Sequence, residues 1–171
     1  MLLIFSTLII SVTNNINSVT YNIKYVIDNR KVFKLFLYII NMPRIEEHEK
    51  IVKELIDDIE EKIRLDLVVQ RQRIIGFAVS EASTNLFAIF LQKKKLIEPA
   101  FNINHRFFLS ERIAKNAFSF DFPNKEEIFS YLIRIEELRS RLCYGREKEA
   151  KEVNEAIELL FKLKKKLEEL K

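Results

Sequence analysis

Apolar side chains recur at steps of three and four residues along most of the chain after Met42, the spacing typical of amphipathic α-helices. The first such stretch opens at Pro43, whose missing N–H suits a first helical turn, and it ends near Ile63. Charged residues fill its other side, and we place His48 among them as a solvated residue. The pattern predicts an amphipathic first helix.

The second predicted helix, about Leu67 to Lys94, is apolar nearly all round in its C-terminal half, so we expect it to be the most buried. A polar cluster interrupts it, with Glu81 and Asn85 on one face. A carboxylate in such a place is costly unless it is paired. We expect Glu81 or Asn85 to face arginines across the bundle. The alternative is that these residues form a buried polar contact that joins two helices. The candidate arginines are Arg134, Arg139 and Arg141.

Three more helices are predicted, over about 104–118, 124–144 and 146–171. Asn124 and Glu127 have the spacing of a capping pair that opens the second of these. The last helix has a seam whose steps alternate between three and four, as in a coiled coil or a bundle helix. The seam residues are Val153, Ala156, Leu160, Leu163, Leu167 and Leu170.

Composition agrees with a helical protein. The chain has 2 glycines, 3 prolines, 32% charged and 48% hydrophobic residues, which leaves too few turn residues for a sheet protein. The pattern therefore predicts an all-α fold, a four- to five-helix up-and-down bundle. Cys143 is the only cysteine, so no intramolecular disulfide can form, and we expect a cytoplasmic protein.

Residues 1–41 differ from the rest because they hold no sustained amphipathic period. Their first apolar run, residues 1–12, is shorter than the roughly 18 to 20 residues that span a bilayer, so we expect no stable membrane insertion. Three interpretations stay open: a mis-assigned start with Met42 as the true initiator, a weak membrane-surface anchor, or a segment packed on the helical domain. We divide the chain into residues 1–41 and residues 42–171.

Net charge alone does not indicate a partner. The chain carries 29 Lys+Arg and 25 Asp+Glu, and four of those cations but only one anion lie in residues 1–41. Residues 42–171 are therefore nearly neutral, and any nucleic-acid role must depend on a local patch.

The candidate patch lies at the end of the fourth helix. Arg139, Arg141, Tyr144 and Arg146 fall within eight residues, and guanidinium groups beside a phenol suit phosphate or base recognition. The alternative is an ordinary helix end, where cations oppose the helix dipole and Gly145 adopts a positive φ.

Other chemistry is sparse. The chain lacks Gly-rich phosphate loops, paired Cys-x-x-Cys motifs and His-Glu-x-x-His, and with two histidines and one cysteine we predict neither a metal site nor a cofactor. His105 starts the third helix beside Arg106, where an imidazole can cap the helix or contact a ligand.

These features resemble the HEPN superfamily of all-helical domains. The long apolar helix ends in Lys93-Lys94-Lys95, a short helix begins at His105, and Arg139-Ser140 matches the start of the arginine motif that closes the next helix. Tyr144 stands where ribonuclease members have histidine, and Cys143 stands where another branch has aspartate.

The resemblance implies a homodimer that binds RNA, a nucleotide or a partner nucleotidyltransferase, as in toxin–antitoxin pairs. A tyrosine has an ordinary pKa of about 10 and cannot replace the acid/base histidine at neutral pH without a large shift of that pKa, which favours a non-catalytic module. Two alternatives stay open: a metal-independent ribonuclease that uses Arg139 with Tyr144 or His105, and a ligand-free helical scaffold whose arginines pair with nearby glutamates. Candidate ligand-binding residues are Arg139, Arg141, Tyr144, Arg146, Glu81, Asn85 and Arg106.

Overall fold

The computed structural model describes residues 45–99 and 101–170, all within the unit Met42–Lys171. These residues form α-helices, one 3₁₀ helix and no strand, which confirms the all-α prediction. The predictions for residues 1–41 and for a start at Met42 lie outside the described residues. The helices are α1 (Ile45–Arg64), α2 (Gln72–Lys93), the 3₁₀ helix His105–Phe108, α3 (Glu111–Ala117), α4 (Lys125–Cys143) and α5 (Ala150–Glu169).

Helix α2 lies at the centre of the bundle, as its apolar pattern predicts. It packs against α1, α4 and α5, whereas α1 packs against α2 alone among the described helices. Its length and composition would also allow it to cross a membrane, but most of it is buried inside the bundle. Burial on three sides explains why its sequence shows little amphipathic period.

A cluster of phenylalanines fills the core between α2, α4 and the segment that joins them. Phe118 is fully buried (0% exposed), and its ring lies 5.2 Å from Phe87 and 6.0 Å from Phe129, measured between ring centres. Phe108 stacks on it from the 3₁₀ helix at 5.9 Å. These contacts fix the 3₁₀ helix against α4, which matters for the site described below.

Several predicted helix starts are wrong in detail. Helix α2 begins at Gln72 and not near Leu67, and α5 begins at Ala150 and not near Arg146. The stretch 104–118 is divided because Ser110, with an extended backbone, caps α3 by accepting from the Ile113 N–H at 3.4 Å. Asn124 precedes α4 with a φ of +58° and makes no side-chain cap, so the predicted capping pair with Glu127 does not form. Asparagine tolerates this left-handed backbone better than most residues, and its side chain is then not placed to accept from the first turn.

The seam of α5 is confirmed. Its apolar residues from Val153 to Leu167 are buried, with Leu170 half-buried against the core, and they pack on α2 and α4. Helix α4 also approaches α2 closely, since a Cβ added at Gly76 would lie 2.9 Å from the Leu142 Cβ. This close contact brings the start of α2 beside the end of α4.

Candidate ligand-binding site

A buried glutamate lies at the centre of the polar cluster near the end of α4. Glu136 is 3% exposed, and its two carboxylate oxygens accept from Arg139 Nε and Nη2, each at 2.7 Å. This two-bond pairing is the strong form of a charge-assisted hydrogen bond. The hydrogen bond with Glu136 raises the pKa of Arg139 above its already high ordinary value, so the guanidinium stays charged.

His105 joins this pair from the 3₁₀ helix. Its Nδ1 lies 3.1 Å from Glu136 Oε1 and 3.2 Å from Arg139 Nη2, and one third of the side chain is exposed. Ser80 of α2 donates to Glu136 Oε2 at 3.3 Å. Three side chains from three elements therefore meet at the Glu136 carboxylate, and the fold brings the candidate acid/base group His105 to Arg139.

Tyr144 covers the outer side of Arg139. The guanidinium carbon of Arg139 lies 5.7 Å from the centre of the Tyr144 ring, within the range of a cation–π contact. Tyr144 directly follows α4 and is 70% exposed. The next residue, Gly145, has a φ of +134°, a backbone that side chains rarely adopt, so the chain turns sharply and leaves the tyrosine ring in solvent.

The arginines of this region fall into two groups. Arg141 pairs with Glu152 of α5, and Arg134 pairs with Glu155 of α5 and with Glu137, as the scaffold hypothesis expects. These two arginines are therefore engaged between helices α4 and α5.

The other group is open to a ligand. Arg73 donates to the Gly145 carbonyl at 3.5 Å, while Arg106 and Arg146 are exposed. None of the three forms an ion pair with another described residue. Arg73 reaches the loop after Tyr144 through this bond to the Gly145 carbonyl. Arg106 directly follows His105 in the chain, and Arg146 lies two residues after Tyr144.

Glu81 and Asn85 form no contact with the arginines among the described residues; Asn85 instead joins α2 to α1, as the alternative prediction of a buried polar link between two helices has it. Asn85 is 6% exposed, and its Oδ1 lies 2.6 Å from His48 Nδ1 on α1, away from the arginines. Glu81 is half-buried and stays within reach of the Asn85 amide at 3.4 Å. The helical rotation of α2 turns Ser80, and not Glu81, toward α4, because neighbouring residues on a helix point about 100° apart.

His48 is also placed differently from the prediction. It is 8% exposed, and its second ring nitrogen lies 3.4 Å from the Gln92 amide nitrogen. Both ring nitrogens have partners, which satisfies a buried imidazole. The charged residues around His48 in the sequence concealed this, since His48 begins the apolar stripe that continues with Val52.

Glu136 is the site residue that the sequence patterns do not single out, since the scaffold hypothesis pairs the arginines with nearby glutamates in general. Two signals pointed to it. Glu136 lies three residues before Arg139, the spacing of an ion pair on a helix, and the apolar stripe of α4 contains its neighbour Ile135 together with Leu132 and Leu138. A carboxylate beside such a stripe is a candidate for burial.

Cys143 lies at the edge of the site with its Sγ 3.4 Å from the Arg73 carbonyl. Burial raises the pKa of its thiol, an effect larger than the opposing influence of Arg139. A raised pKa leaves less thiolate at neutral pH, so we expect iodoacetamide to alkylate Cys143 several-fold more slowly in the folded chain than in the unfolded chain. Mass spectrometry of samples quenched over time, with and without denaturant, measures both rates; equal rates would contradict the shielded position.

A further concave surface lies away from this site. A groove of about 540 Å³ opens between α1, α2 and α5 at the far end of the bundle. Its floor is apolar, and Lys93 on its rim pairs with Glu49 at 2.6 Å. The floor of this groove has no converging polar groups of the kind that bind a ligand or carry out catalysis. The Glu136 cluster has such groups and is therefore the candidate site.

Within the described residues, no group of three or more His, Cys, Asp or Glu side chains is placed to hold a metal ion. Comparison with known protein families, with curated proteins and with solved structures finds no match to this chain. The function proposed below therefore rests on the residues of the site.

Proposed function

We propose that this protein is a HEPN-like helical module that binds single-stranded RNA at the end of α4 without cleaving it. The observation that carries the proposal is the exposed Tyr144 ring held over Arg139. The exposed Arg146 lies two residues further along the chain, and Arg73 contacts the intervening Gly145. Exposed aromatic rings beside cationic groups are the usual platform for unpaired bases.

Arg139 supports this role by position more than by direct phosphate contact. Glu136 offsets its charge and occupies the fork formed by Nε and one donor of Nη2, so this side of the guanidinium is not free to bind a phosphate. It instead holds the Tyr144 ring from behind. Phosphate contacts then fall to Arg73, Arg106 and Arg146, which have no competing carboxylate among the described residues.

Substitution of the stacking residue tests the proposal. We expect Tyr144→Ala to weaken retardation of end-labelled single-stranded RNA by the full chain about tenfold, the effect of losing one base–aromatic stack. Tyr144→Phe keeps the ring and should bind as the wild type does. Because Tyr144 is exposed, both variants should fold normally, which circular dichroism checks.

Arginine substitutions supply the matched control. Arg146→Ala should weaken binding several-fold, and more so at low salt, because it removes a phosphate contact. Arg112→Ala should leave binding unchanged, because this exposed arginine lies on α3, far from the site. Helix α3 contacts the first turn of α4 through the Lys115–Glu126 ion pair, whereas the site lies at the last turn of α4. Equal losses in both variants would indicate general charge attraction, and no retardation at all would favour the ligand-free scaffold.

A metal-independent ribonuclease is the second candidate, favoured by the 3.2 Å distance between His105 Nδ1 and Arg139 Nη2. The same gel, run with a chelator, reads for cleavage as well as retardation. Cleavage that disappears in His105→Gln would replace the binding proposal with an enzymatic one, whereas retardation without cleavage supports the module.

We also propose a homodimer, formed through the apolar part of the surface beside the site. Phe77 and Ile74 are 55% and 46% exposed, and Phe77 lies one helical turn beyond Arg73. We expect light scattering to give twice the chain mass for the wild type and the single mass for Phe77→Asp, because a buried charge opposes association. A monomeric wild type would contradict the homodimer and would favour this surface as the contact for the nucleotidyltransferase partner that the resemblance implies.

A further inference from the structure

We propose that Glu136 is a positioning residue that fixes the neutral form of His105, with the proton on Nδ1 and a free lone pair on Nε2. The use of the Nε2 lone pair to accept a hydrogen bond from a ligand rests on the proposed RNA binding. The position of the proton does not, since it depends only on contacts within the protein.

The carboxylate of Glu136 cannot turn away from the imidazole. Its two oxygens are held by Arg139 Nε and Nη2 at 2.7 Å and by Ser80 at 3.3 Å, and the side chain is 4% exposed. Oε1 is therefore fixed 3.1 Å from His105 Nδ1. In a neutral histidine, the hydrogen bond made by one nitrogen determines which nitrogen carries the proton.

Arg139 competes for the same nitrogen, because its Nη2 lies 3.2 Å from Nδ1 and would favour a lone pair there. The carboxylate prevails for two reasons. Nη2 already directs a hydrogen to Oε1 at the shorter distance of 2.7 Å. Moreover, an unprotonated Nδ1 would place its lone pair against the lone pairs of the buried Oε1. This repulsion, together with the loss of the hydrogen bond, is costly away from water.

The consequence concerns the outer face of the ring. Nε2 makes no hydrogen bond with another described residue, and one third of the His105 side chain is exposed. With the proton held on Nδ1, Nε2 can accept a hydrogen bond from a hydroxyl group of a ligand. Without Glu136, the ring could present an N–H at the same place and would repel that donor.

Nitrogen-15 spectroscopy tests this inference directly. The chain contains only 2 histidines, so long-range ¹H–¹⁵N spectra of the full labelled chain hold two sets of ring signals, which His48→Gln assigns. At a pH of about 8, where a free imidazole is neutral, we expect His105 to show a protonated Nδ1 and an unprotonated Nε2. In Glu136→Gln, the protonated fraction at Nδ1 should fall, because the charge that attracts the proton is lost.

A second variant keeps the test decisive if Glu136→Gln does not fold. Arg139→Met removes the competing donor and keeps the carboxylate, so the protonated Nδ1 should persist or strengthen. A protonated Nε2 in the wild type, or an unchanged pattern in a folded Glu136→Gln, overturns the inference. No RNA is present, so a failure here leaves the binding proposal standing, and a chain that binds no RNA leaves the proton assignment standing.

Discussion

Replacing Glu136 with alanine should lower the free energy of unfolding by about 3 kcal/mol, because removal of one partner leaves a buried charge without compensation. The partner left behind is Arg139, whose side chain is only 11% exposed, and His105 and Ser80 lose an acceptor at the same time. Urea denaturation followed by circular dichroism measures the change, and the melting temperature should fall by roughly 10 °C.

The neighbouring glutamate is the matched control for this prediction. Glu137 lies on the same turn of α4 but is 55% exposed and pairs with Arg134 at the surface. Exposed ion pairs contribute about 0 to 1 kcal/mol, so Glu137→Ala should change stability little. Similar losses in the two variants would mean that Glu136 is as solvated as its neighbour and that the site is not built around it.

Phe118→Ala should lower the free energy of unfolding by about 4 kcal/mol, within the range for truncating a fully buried phenylalanine. Phe118 is 0% exposed and contacts the rings of Phe87, Phe108 and Phe129. The variant removes the ring that connects the 3₁₀ helix to α2 and α4, and the lost contacts cannot be refilled in a close-packed core. Chemical denaturation at fixed protein concentration measures it.

Two further variants separate cavity formation from a general effect of substitution in this segment. Phe118→Leu keeps most of the apolar volume and should cost less than half as much. Leu109→Ala truncates a residue that is 57% exposed and should cost little. The prediction fails if Phe118→Ala is no more destabilising than Leu109→Ala. Because Phe118 anchors the 3₁₀ helix, Phe118→Ala should also disturb the position of His105.

The helices were predictable because helix formation depends on local spacing. The stripe of α5 predicted its buried residues from Val153 to Leu167, and the apolar run of α2 predicted its central place. Boundaries were less predictable: the capping role of Asn124 failed because its backbone has a φ of +58°. Dihedral angles at a helix start depend on the loop before it, which side-chain spacing does not report.

The site was predictable in part. Arg139, Tyr144 and His105 were singled out from residue type and position, and the structure brings these three together. The α2 residue that faces this group was not, because α2 is apolar around most of its surface, and a helix without a clear polar face has no rotation that can be deduced from the sequence. Glu81 therefore looked as suitable as Ser80.

The sequence by itself determined that this protein is a bundle of helices and where most of its apolar faces lie, since a residue three or four positions away always shares its side of a helix. Only the tertiary structure decided which polar groups meet inside. The His48–Asn85 contact joins residues 37 positions apart and the Ser80–Glu136 contact joins residues 56 apart. Such pairs depend on how each helix is rotated against its neighbour, and the packing of the whole core sets that rotation.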